Sequence, residues 1–176
     1  QQYVDALEKS GWLAALPTAA RQKLENDLTD RVENANATSL QVSELFQDLV
    51  VTRFAKQKID SDGPDEPNSY HAALTQLASH SFGHFNPEKL SDRLDEHKQT
   101  ASISFELKGR EHRLEVPYEN DKFDSDVIER LVNPALKRAG VEHRFFSLPA
   151  LDQSAQLAFV PELAFKNAKK AGLIPE

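Results

Sequence analysis

The chain reads as an α+β fold: an N-terminal helical region of about four helices packed with a four-stranded antiparallel sheet, in ββαββα order. Three observations predict it. Residues 101–176 repeat one construction, a two-stranded hairpin followed by a helix that stops on a basic residue, Ala and Gly. Residues 1–100 carry apolar side chains at helical spacing instead. With 176 residues, 39% hydrophobic and 28% charged, the chain can bury one core, so we expect a single domain over 1–176. Within it, 68–176 reads as the α+β core, and 1–58 is open to being a semi-independent helical extension.

The first hairpin opens with Ile103, Phe105 and Leu107 on one face and Ser102, Ser104 and Glu106 on the other, the alternation of a half-buried strand. Lys108-Gly109-Arg110 turns the chain, Leu114 and Val116 continue the alternation, and Pro117 ends it because proline cannot donate to a ladder. Val127, Ile128, Leu131, Ala135 and Leu136 then recur at helical spacing, with Asp124 or Ser125 as N-cap. Lys137, Arg138 and Gly140 stop that helix through dipole-compatible charge and left-handed backbone freedom.

The second hairpin has Phe145, Phe146 and Leu148 on one strand, Pro149 to Gln153 as connection, and Leu157, Phe159 and Val160 on the other. Pro161 stands at a helix start, and Leu163, Ala164, Ala168 and Ala171 follow before Gly172.

Upstream, Tyr3, Val4 and Leu7 form a stripe stopped at Gly11, and Trp12, Leu13 and Leu16 add apolar bulk before Pro17. Ala20, Leu24, Leu28 and Val32 repeat every fourth residue. Thr38 and Gln41 stand at capping-box spacing before a broad stripe of Val42, Leu45, Phe46, Leu49, Val50 and Phe54, which predicts a central helix. After the loop Asp60 to Pro67, Tyr70, Ala73, Leu74 and Leu77 mark another.

Composition excludes several activities. With no cysteine there is no disulfide, thiol catalysis or iron–sulfur ligation. The six glycines are never spaced to cradle a phosphate, and no Gly-x-Ser-x-Gly elbow surrounds a serine, so no cofactor is expected. A net charge of −7 argues against nucleic acid, whose affinity for proteins rests largely on cations. That charge is uneven: residues 129–176 carry 7 basic and 5 acidic side chains, against 10 and 16 in residues 1–100. The imbalance leaves room for a basic face on the last two helices, and solvated helix ends account for it equally well. No apolar run reaches the ~20 residues of a membrane span, and Gln1-Gln2-Tyr3 begins no signal peptide. The expectation is a soluble protein, cytoplasmic or exported with a leader removed.

Four constellations could carry function. In the loop Pro117 to Asp126, Tyr118 and Phe123 stand among Glu119, Asp121, Asp124 and Asp126. Aromatics give contact area at small entropic cost and carboxylates steer a basic partner, which makes Tyr118, Glu119, Asp121, Phe123 and Asp124 the preferred partner-binding residues. Against this, Phe123 could fold back as a staple over the helix and Tyr118 could pack on the sheet edge. His80 and His84 have the i, i+4 spacing of paired metal ligands, with His71, Asp92, Asp95, Glu96 or His97 to complete a site, but Phe82 and Gly83 interrupt the helix that spacing needs. Asp60 to Glu66 superficially resembles a calcium loop, yet its glycine is fourth instead of sixth and no Glu stands twelfth. Ser154, His143 and Asp152 could be drawn as a triad, though Ser and Asp are ordinary turn residues. The sequence therefore favours a non-catalytic protein-binding domain, of inhibitor, immunity or accessory type, recognising another protein of basic character. The alternative is a metal-dependent hydrolase using His80, His84 and nearby carboxylates.

Overall fold

The computed structural model describes residues 2–34, 45–55, 69–118, 124–149 and 154–175. Helix α1 (Gln2–Ser10) ends where Gly11 takes a φ of +84°, and a short 3-10 turn (Leu13–Ala15) leads into α2 (Thr18–Asn34). A second 3-10 turn (Phe46–Leu49) precedes strand β1 (Thr52–Ala55). Helix α3 (Tyr70–Ser79) is followed by β2 (Glu88–Asp95), β3 (Thr100–Leu107) and β4 (Arg110–Pro117). A π-turn (Ile128–Val132) continues as α4 (Asn133–Arg138), and β5 (His143–Leu148), β6 (Ser154–Pro161) and α5 (Glu162–Lys170) complete the chain.

The architecture is α+β with antiparallel sheets, but the expected single four-stranded sheet is replaced by two three-stranded ones, ordered β1-β6-β5 and β2-β3-β4. Each predicted hairpin is present, and each recruits a strand from the region read as wholly helical. Thr52 pairs with Leu157 and Ala55 with Ser154 in one sheet; Asp92 pairs with Ile103 in the other. A lone hairpin is marginal in water, and a third strand stabilises it. Phe54 thus lies on a strand, not on the central helix its apolar stripe predicted. Thr38, Gln41 and Val42 lie outside the described residues, as does the loop 60–67.

Burial explains the hairpins. Ala101, Ile103, Phe105 and Leu107 are all buried while the intervening residues of β3 are half-exposed. Lys108 and Gly109 both take positive φ (50° and 73°), the backbone of a two-residue turn whose twist matches its strands. In β6 the residues Gln156 to Val160 are buried in succession, because this central strand is covered on both faces. Leu157 and Phe159 face the cluster built from α3, β3 and the helix 128–138; Ala158 and Val160 face the one built from the N-terminal helices and α5.

Pro134 shapes the helix before β5. It has no N–H for the carbonyl of Arg130, and the ladder widens just before it, with Asn133 N donating to Ile128 O five residues back. The Asn133 side chain bridges the edge strand: Nδ2 donates to Phe145 O at 2.8 Å, and Phe145 N donates to Oδ1 at 2.9 Å. These bonds occupy the outward backbone groups of β5 at Phe145, which would otherwise be open to another strand.

Candidate functional site

The acidic aromatic loop springs from the end of β4 and returns at the start of the 128–138 helix. Tyr118 N donates to Gln99 O at 2.7 Å, and the half-buried Tyr118 side chain packs against the core. At the other end Asp124 N donates to Tyr70 Oη at 3.1 Å. Tyr70 is fully buried, and that burial pushes its hydroxyl up to about 12, so it stays protonated at neutral pH. Asp124 Oδ1 accepts from Asp126 N at 2.9 Å, the capping role expected of it. The two ends of the loop are therefore fixed on the folded body. Glu119, Asp121 and Phe123 lie outside the described residues.

His80 and His84 are turned to different neighbours. Helix α3 stops at Ser79, His80 is its C-cap, and Phe82 and Gly83 take φ of 54° and 80°. Ser81, fully buried, closes the turn: its hydroxyl donates to Ala78 O at 2.8 Å and accepts from Phe85 N at 3.0 Å. His84 consequently stacks on His143 (ring centroids 4.6 Å apart, planes at 19°), with Phe159 beside both rings. His143 Nε2 bonds Ala15 O at 2.9 Å. Burial lowers the His143 pKa; the Ala15 bond opposes that shift and the neighbouring His84 adds to it.

His80 lines a cavity of about 330 Å³ walled by Trp12, Leu24, Val51 and Phe82. Asp48 is on the same wall, its Oδ1 accepting from Arg31 Nη2 at 2.7 Å. Burial raises the Asp48 pKa and Arg31 opposes it. Asp48 Oδ2 and His80 Nδ1 are buried with no hydrogen-bond partner among the described residues. Each costs the fold part of its desolvation.

The carboxylates once available to complete a metal site have other work. Asp92 Oδ2 accepts from His71 N at the start of α3 (3.2 Å), and Asp95 Oδ1 accepts from Lys98 N in the β2–β3 turn (3.0 Å). Among the described residues no three His, Asp or Glu side chains are grouped to hold a metal ion. The drawn triad also separates: His143 pairs with Pro161 at one end of β6, Ser154 with Ala55 at the other, and Asp152 is outside the described residues.

A second surface was legible only as a charge imbalance. Lys137, Arg138, Arg144 and Phe146 line an open groove of about 670 Å³ between the 128–138 helix and β5, and Glu129 and Glu162 line it with them. The excess of cations in residues 129–176 was the signal, but the basic face expected on the last two helices is not what the fold makes: Lys137 and Arg138 meet Arg144 of β5, and α5 contributes Glu162 to the groove.

Among the described residues no helix is long and apolar enough to cross a membrane. Comparison with protein-family models, with curated proteins and with solved structures finds no match for the chain.

Proposed function

We propose that the chain is a non-catalytic protein-binding domain, of inhibitor, immunity or accessory type, that presents the loop between Tyr118 and Asp124 to a basic partner. The observation that carries this reading is the anchoring of both loop ends, by Gln99 O and by the Tyr70 hydroxyl. A segment with fixed ends loses less conformational entropy when a partner orders it, so more of its contact energy appears as affinity. Phe123 supplies an apolar anchor, while Glu119 and Asp121 in a chain of charge −7 raise the encounter rate with a cationic surface. Because Tyr118 already packs on the core, most of the recognition falls to Phe123 and the two carboxylates. The hydrolase alternative has less support, since His80 and His84 serve separate clusters.

The test is affinity capture from the native source with quantitation of each recovered protein, comparing the wild-type chain with Phe123→Ala and with Glu119→Lys/Asp121→Lys. Selective loss of one basic protein from both variants supports the reading. Equal recovery of every protein by all three chains sinks it.

A further inference from the structure

We propose that the groove between the 128–138 helix and β5 is a second binding site, independent of the acidic loop, which takes an extended acidic peptide segment with one carboxylate seated on Arg144. The Arg144 guanidinium is held in place by its own backbone: Nη1 donates to Val141 O and, at 2.6 Å, to His143 O. Carbonyls fix its orientation but supply no net countercharge. The rest of its planar fork, which matches a carboxylate geometrically, has no carboxylate partner among the described residues. Glu162, the acid closest in influence, is bonded to Lys166 at 2.5 Å. Burial pulls the Arg144 pKa below its usual value, the sign of a cation whose surroundings compensate it incompletely.

Lys137 and Arg138 line the same groove from the last turn of α4, both exposed and neither ion-paired among the described residues. They provide for a second carboxylate. Phe146 supplies an apolar wall made rigid by stacking on Phe165, with centroids 4.2 Å apart and planes 7° from parallel. Glu129 and Glu162 line the groove as well and decide what kind of anion fits. They repel a compact dianion such as phosphate, whereas a peptide spreads single charges along its length and offers N–H donors to both acids. A volume of about 670 Å³ accommodates a short extended segment. Asn133 occupies the edge of β5 at Phe145, so the peptide is held by side chains and not as an added strand.

The experiment is fluorescence anisotropy with a labelled short peptide rich in Glu with one central Phe, alongside its Lys-substituted counterpart and inorganic phosphate as competitor. The acidic peptide should bind saturably and more weakly as salt rises, the Lys peptide should not bind, and phosphate should compete poorly. Arg144→Gln should weaken binding about tenfold or more. Lys137→Gln/Arg138→Gln, at exposed positions and without placing negative charge at the helix C-terminus, should do the same and keeps the test decisive if Arg144→Gln fails to fold. Glu119→Lys/Asp121→Lys should leave peptide binding unchanged, which separates this site from the loop. Undiminished affinity in the double variant, phosphate binding in place of the peptide, or no saturable binding would each overturn the proposal.

Discussion

Replacing Asn133 with Ala should destabilise the fold far more than a half-exposed position ordinarily would. The side chain makes two hydrogen bonds to one residue, at 2.8 and 2.9 Å, and Phe145 is 1% exposed. Each bond contributes about 0.5–1.5 kcal/mol net, and a buried group left unpaired costs about 1–3 kcal/mol. The groove beside Asn133 admits some water to the freed groups, which places the total at about 2–4 kcal/mol. Urea unfolding followed by the fluorescence of Trp12, the single tryptophan, reads it directly, with circular dichroism to check that the transitions coincide. Asn133→Asp sharpens the test. Its carboxylate still accepts from Phe145 N but turns a second oxygen toward Phe145 O, so the ionised form is disfavoured in the fold and the aspartate pKa rises there. A carboxyl with a raised folded pKa costs stability at neutral pH and returns it as the pH falls through that pKa. The gap between Asn133→Asp and wild type should therefore narrow on acidification. If Asn133→Ala unfolds within about 0.5 kcal/mol of wild type, the bridge does not hold the edge strand and the reasoning fails.

Phe159→Ala should cost about 3–5 kcal/mol in the same assay, because the ring is fully buried against Phe145 at 4.4 Å and beside the His84–His143 pair; a loss under about 1 kcal/mol would contradict that packing. Stability should fall with pH below about 6.5, since His143 and His112 both have folded pKa values lowered first by burial: their contribution is complete above the unfolded value and is lost as the unfolded chain takes up protons the fold refuses. A His143→Gln/His112→Gln variant that keeps the full wild-type slope would refute this. Asp48→Asn should leave neutral-pH stability unchanged or raise it, because burial penalises the carboxylate more than Arg31 compensates; a loss above about 1 kcal/mol in urea unfolding would reverse that balance.

What the sequence made legible follows from how local each signal is. The two hairpins could be read because their alternation and turns lie within a few residues: Ile103, Phe105 and Leu107 against Lys108-Gly109, and Phe145 against Phe159. Helix stops at Gly140 and Gly172 were legible for the same reason. The strand at Thr52 was not, because Leu45, Phe46, Leu49, Val50 and Phe54, with Gln47, Asp48, Thr52 and Arg53 between them, fall at the spacing of a wide helical stripe and carry no strand alternation. Strand β2 was missed because neither of its faces is fully buried, so Glu88 to Asp95 shows no clean alternation. At the candidate sites, the spacing of His80 and His84 promised a shared face, which the Phe82-Gly83 turn removed. The stacking of His84 on His143 is tertiary and leaves no trace at any sequence spacing. Arg144 illustrates the same limit, since its place in a groove with Lys137, Arg138 and Glu162 depends on three elements meeting.

The loop between Tyr118 and Asp124 bears the main functional claim, and its most direct measurement is the affinity of the wild-type and Phe123→Ala chains for the basic protein recovered in the capture experiment. Truncating a central aromatic anchor costs about 2 kcal/mol or more, roughly a thirtyfold rise in Kd. That rise is expected with unfolding stability unchanged. An unaltered Kd, or a loss matched by unfolding of the variant, would contradict it.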